Sequence, residues 1–153
     1  MVPELKRLTL HELDLVNRAP ILVSILIAGA DGHVDRNEIR GAIETAKKKS
    51  KGKSSLQAYY QEVVTDFEDK VKVILHSYPP DATQRNRSIS NELADLNEIF
   101  KKVEGPLPAD IYDSLKNLAV NIAKSSGGIF GMKSIGPEEA RYIGLNMIIP
   151  PTR

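Results

Sequence analysis

Apolar residues recur along most of this chain at steps of three and four, the interval that gathers side chains on one face of an α-helix. The stripe is plainest between residues 36 and 49, where Ile39, Ala42, Ile43 and Ala46 fall at i, i+3, i+4 and i+7. A long helix is expected after Ser54 or Ser55, stepping through Leu56, Tyr60, Val63, Phe67, Val71, Ile74 and Tyr78. It stops at Pro79-Pro80, because proline has no amide hydrogen with which to continue the ladder. A further helix carries Ile89, Leu93, Leu96, Phe100 and Val103, and the next Ile111, Leu115, Leu118 and Ile122. The last starts at Pro137, carries Ala140, Ile143, Gly144 and Met147, and closes at Pro150-Pro151. No window alternates as a half-buried strand does, so the pattern predicts an all-α fold of about seven helices.

The N-terminal third adds start signals. In Leu8-Thr9-x-x-Glu12-Leu13, Thr9 and Glu12 are spaced as a capping box, and Leu8 and Leu13 as a hydrophobic staple, which opens a short first helix. A second helix begins at Pro20 and runs through Ile21, Leu22, Val23, Ile25, Leu26 and Ile27. Being apolar on most sides, it is expected in the middle of the domain. Tyr59, Tyr60, Tyr78 and Tyr112 read as core residues with hydroxyl tips in water.

Between the second and third helices lies Ala28-Gly29-Ala30-Asp31-Gly32-His33-Val34-Asp35-Arg36-Asn37-Glu38-Ile39. Asp35 stands at an N-cap position, with Glu38 three residues on to complete a capping box; Val34 and Ile39 are spaced as a staple, and Gly32 suits a left-handed turn. The grammar recurs at Ala123-Lys124-Ser125-Ser126-Gly127-Gly128 and, after a short insertion, Ile135-Gly136-Pro137-Glu138-Glu139-Ala140. There Ile135 and Ala140 take the staple positions and Glu139 the place of Glu38. Two related helix-turn-helix corners result.

Composition narrows the classes. The 153 residues, 41% of them hydrophobic, are read as one domain spanning residues 1–153. A formal net charge of +1 argues against a general polycation, so any electrostatic partner must be sought at a local patch. There is no cysteine, which removes disulfides and thiolate chemistry. The N-terminus lacks the pattern of a signal peptide, and the longest apolar stretch, Ala19 to Ala30, is about half of the roughly 20 residues that span a bilayer. A soluble, cytoplasmic chain is expected, with peripheral membrane contact as a variant.

The residues support few chemistries. Read from Asp31, an EF-hand loop needs glycine at its sixth position and glutamate at its twelfth, where Arg36 and Ala42 stand. A looser divalent-cation site remains open, since Asp31, Asp35 and Glu38 bring three carboxylates to one turn and hard cations favour oxygen. It competes with capping for the same oxygens. His11, His33 and His76 have no i, i+4 partner, no serine lies in a nucleophile elbow, and Lys124-Ser125-Ser126-Gly127-Gly128 lacks the ending of a phosphate loop. No catalytic constellation or cofactor motif is assembled, and a non-enzymatic role is expected. The run Lys47-Lys48-Lys49-Ser50-Lys51-Gly52-Lys53 is simplest as a solvated helix end, with docking onto anionic lipid or nucleic acid as the alternative. Ile129-Phe130-Gly131-Met132 offers an apolar contact for a protein partner.

The first corner, set after an apolar helix and echoed near the C-terminus, resembles the tellurite-resistance TerB family and its TerB-like superfamily over about Pro20 to Ile148. The resemblance implies an all-helical domain with an internal pseudo-two-fold repeat. It also implies a non-enzymatic role in stress responses that include tellurite resistance, exercised as a binding or adaptor protein with a protein partner. Divalent-metal binding by corner acids is implied as well, at Asp31, Asp35 and Glu38 in the first corner and Glu139 in the second. The chain departs from the pattern where Ser126 and Gly136 stand in place of acids and where Ile129 to Lys133 is inserted.

Overall fold

A computed structural model describes residues 2–30, 34, 36–125 and 142–152. Among these the protein is helical throughout, with no strand: a 3-10 turn at Pro3–Leu5 precedes α1 (Leu10–Ala28), α2 (Arg36–Lys49), α3 (Ser55–Val64), α4 (Phe67–His76), α5 (Ala82–Ala94), α6 (Leu96–Phe100) and α7 (Leu107–Ser125). The all-α expectation holds. Several boundaries move, each for an identifiable reason.

The expected first and second helices are one. α1 opens with the Thr9 capping box, in which the Glu12 amide donates to Thr9 Oγ1 at 3.1 Å and the Thr9 amide to Glu12 Oε1 at 3.0 Å. It then runs straight through Pro20. A proline there removes the amide that would have bonded the Val16 carbonyl. The Tyr59 hydroxyl, reaching in from α3, donates to that same carbonyl at 2.6 Å, so it is not orphaned. The Ser24 hydroxyl in turn donates to the Pro20 carbonyl at 2.7 Å. From Ala19 to Ala28 every residue of α1 is buried, and the helix packs against each of the other six.

The expected long helix after Ser54 is instead two. Ser54 caps α3 reciprocally with Gln57, but Val63-Val64-Thr65 is a β-branched run of weak helix formers. Asp66 then enters the left-handed region at φ 55°, one of the few side chains that does so at modest cost. Tyr60 and Val63 before the break, and Phe67, Val71 and Ile74 after it, are all buried. A smaller break at Asp95 divides the expected fifth helix into α5 and α6, the Asp95 amide bonding back to Glu92 and Leu93.

Pro137 to Arg141, where the last helix is expected to begin, lie outside the described residues. Beyond Tyr142 the chain does not continue as that helix to Pro150. It turns at Leu145 (φ 48°), whose amide donates to the Tyr142 carbonyl at 2.9 Å. The Asn97 side-chain amide of α6 then clips the tail, donating to the Met147 carbonyl at 3.0 Å and accepting from the Ile149 amide at 2.7 Å. Leu145 and Ile148 are buried in the same apolar cluster that begins at Val2.

The tyrosine tips also differ from expectation. Tyr59 and Tyr60 are fully buried, their rings edge to face with centroids 5.1 Å apart. Neither hydroxyl is wet. Ser114 on α7 spends its hydrogen on the Ile111 carbonyl, so the Tyr60 hydroxyl, 2.7 Å away, donates to Ser114 Oγ. Burial pushes both phenols above their ordinary pKa, with the Tyr60 charge as a second cause at Tyr59.

Candidate functional site

The α1–α2 corner begins where α1 ends. Gly29 closes that helix, its amide donating to the Ile25 carbonyl at 2.8 Å, and Ala30 bonds back to Ile27 at 3.3 Å. α1 has no basic residue in its last turn. The missing cation comes from α5: Arg85, 5% exposed, donates from Nη2 to the Gly29 carbonyl at 2.6 Å. A guanidinium is favoured here because the last carbonyls of a helix carry its partial negative charge. Gly29 is what lets it in. A Cβ at that position would sit 2.6 Å from Arg85 Nη2 and 2.9 Å from the Ile25 carbonyl oxygen.

On the outgoing side, Glu38 occupies the first turn of α2 and is 5% exposed. A carboxylate at this end of a helix is favoured by the partial positive charge of the free amides. Val34 and Ile39, the expected staple, both pack against the core. Of the four acids singled out as metal ligands, Glu38 is thus placed in the corner, while Asp31, Asp35 and Glu139 lie outside the described residues, as do Gly32 and the Asp35 cap. Among the described residues no group of three or more His, Cys, Asp or Glu side chains converges.

The approach to the second corner lies against the first. Gly41, one turn past Glu38, faces Ser125 at the end of α7 so closely that a Cβ on Gly41 would collide with Ser125 Oγ. The Ser125 hydroxyl is committed to the Asn121 carbonyl at 2.9 Å. Ser126 to Gly128, the insertion from Ile129 to Lys133, and Ile135 to Ala140 lie outside the described residues.

The basic run is divided. Lys47, Lys48, Lys51 and Lys53 are exposed, but Lys49 is half-buried, donates to Asn117 Oδ1 of α7 at 2.6 Å, and has its ammonium pKa lowered by burial. Among the described residues no helix is long and apolar enough to cross a membrane.

Arg85 is the corner residue that the sequence reading passed over, although the signal was there. Stepping back by fours from Leu93 and Ile89, position 85 continues the apolar stripe of α5, and a charged residue in register with a buried stripe is one that must find a partner inside. Comparison of the chain with protein families, with curated proteins and with solved structures finds no match.

Proposed function

We propose that this chain is a non-enzymatic, TerB-like binding module serving a stress response of the kind that includes tellurite resistance, with the α1–α2 corner as its working element. The observation that carries the reading is the burial of the Glu38 carboxylate at the start of α2, where the resemblance puts a corner acid. The contact of Gly41 with Ser125 supports it too, since it sets the lead-in to the second corner beside the first. In this reading Asp31, Asp35 and Glu38, with Glu139 from the second corner, coordinate a divalent cation, and a protein partner engages the loaded module. Arg85 constrains such a site. A permanent positive charge at the Gly29 carbonyl opposes a cation nearby, so more than one carboxylate must act together.

Calorimetric titration of chelator-treated protein with calcium, magnesium, manganese and zinc tests this. One cation binds below millimolar concentration, and Asp31→Ala and Glu38→Gln each weaken it at least about tenfold while the far-ultraviolet circular dichroism is unchanged. If none of the four binds in that range, the metal part of the reading is withdrawn and the acids are left as caps. A second reading, docking of the Lys47–Lys53 run onto anionic lipid or nucleic acid, draws on the four exposed ammonium groups. It demands binding that collapses with added salt and with charge reversal of those lysines.

A further inference from the structure

α2 and α4 lie either side of an open groove of about 490 Å³. Its walls are aliphatic: Val34, Ile39 and Ile43 on one side, Val71 and Leu75 on the other. Its rim is charged and unequal. α2 contributes Arg36 and Arg40, one turn apart, while α4 contributes Lys72 and Glu68. All four rim side chains are exposed, and none is ion-paired within the described structure. The groove therefore presents an apolar channel with an excess of positive charge concentrated along the α2 edge.

We propose that this groove binds an amphipathic, acidic helix of a partner protein: aliphatic side chains at i, i+3 or i+4 and i+7 enter the channel, and two carboxylates one turn apart meet Arg36 and Arg40. The proposal deepens the reading of the chain as a binding module by naming the surface and the chemistry of the partner. The dimensions fit. The lining runs from position 36 to 43 on α2 and from 68 to 75 on α4, which at about 1.5 Å per residue is close to two turns of helix. Guanidinium groups a turn apart match carboxylates a turn apart on an adjacent helix, and each can take a carboxylate in a two-pronged bond. Nucleic acid is disfavoured because no aromatic side chain lines the groove to stack on a base. A bilayer is disfavoured because the apolar groups line a channel between two helices instead of projecting from the surface.

The test uses the full chain and a fluorescent, lactam-stapled peptide of about twelve residues with leucine at i, i+4 and i+7 and two glutamates a turn apart on one flank. The peptide binds with micromolar affinity in anisotropy titrations, and replacing its glutamates by lysine weakens binding at least about tenfold. Arg36→Glu with Arg40→Glu reverses the preference, so that the lysine peptide now binds better, which also shows that the variant is folded. Arg40→Gln alone gives an intermediate loss. No binding by the glutamate peptide, or binding indifferent to these reversals, overturns the proposal. So does capture by phosphatidylserine-containing vesicles that depends on Arg36 and Arg40 while the peptide fails, since the rim would then read lipid headgroups. The groove shares Val34, Arg36 and Ile39 with the corner, but the cation test changes Asp31 and Glu38, neither of which lines it, and is read without peptide, so failure here and failure of the corner reading are separable.

Discussion

At the scale of single residues, Tyr59 explains how a proline sits inside the central helix. Pro20 and Tyr59 both act on the Val16 carbonyl: one removes its helical partner and the other supplies a replacement. Tyr59→Phe therefore leaves a buried carbonyl unsatisfied, at a cost of about 1–3 kcal/mol. Adding Pro20→Ala restores an amide to the same oxygen, so the double variant recovers most of the loss and the two substitutions are strongly non-additive in urea unfolding. Additive effects would mean that the two residues act independently. The buried phenols also set the alkaline limit. A tyrosine whose folded pKa is raised keeps its proton in the native state while the unfolded chain loses it near its ordinary value, so its contribution is fully present below about pH 10 and falls as pH climbs from there, by up to about 1.4 kcal/mol per unit. Urea midpoints stay flat from pH 7 to about 9.5 and then drop, and Tyr60→Phe, which leaves Ser114 its bond to Ile111, makes that drop shallower.

At the scale of elements, α2 was legible to the residue, because its stripe, its acidic first turn and its basic last turn agree with one another. The fusion across Pro20 was not, since a proline suits a first turn better than an interior unless a side chain from elsewhere relieves it, and Tyr59 lies 39 positions away in sequence. The break at Asp66 is of the opposite kind. The apolar stepping carries straight across it, and only the weak propensity of Val63-Val64-Thr65 marked the place. The corner divides in the same way: Glu38 was found through capping grammar, whereas Arg85 announces itself only by standing in the phase of the α5 stripe. The two descriptions of the α3–α4 segment predict opposite signs for one substitution. Glycine tolerates the left-handed conformation at no steric cost, so Asp66→Gly stabilises the broken form by about 0.5–1 kcal/mol, whereas in an uninterrupted helix the same change costs about 0.3 kcal/mol, glycine being only that much poorer a helix former than aspartate. A rise in the thermal midpoint is expected, and a fall would restore the single long helix.

At the scale of the molecule, α1 is the hub and Arg85 holds one end of it. α1 packs against each of α2 to α7, and the Gly29 carbonyl at its end accepts from the Arg85 side chain of α5. Two layers of stability follow. Many buried side chains hold the core at once, whereas the Arg85–Gly29 bond lies at the end of α1, and helix ends open locally at lower free energy than the whole. Arg85→Met removes a charged hydrogen bond to Gly29, worth about 1.5–3 kcal/mol, while keeping much of the side chain's volume. Native-state hydrogen exchange should report that loss unevenly: protection falls at the Gly29 and Ala30 amides, yet changes little in the middle of α7 around Leu118, which is fully buried in the core. Arg85→Lys does not rescue it, because the planar guanidinium sets Nη2 against the Gly29 carbonyl and an ammonium on a shorter side chain has no such fork. Equal loss at every slow amide would show that the corner and the core open as one unit. The corner would then be a structural keystone, with no freedom of its own to respond to a bound ion.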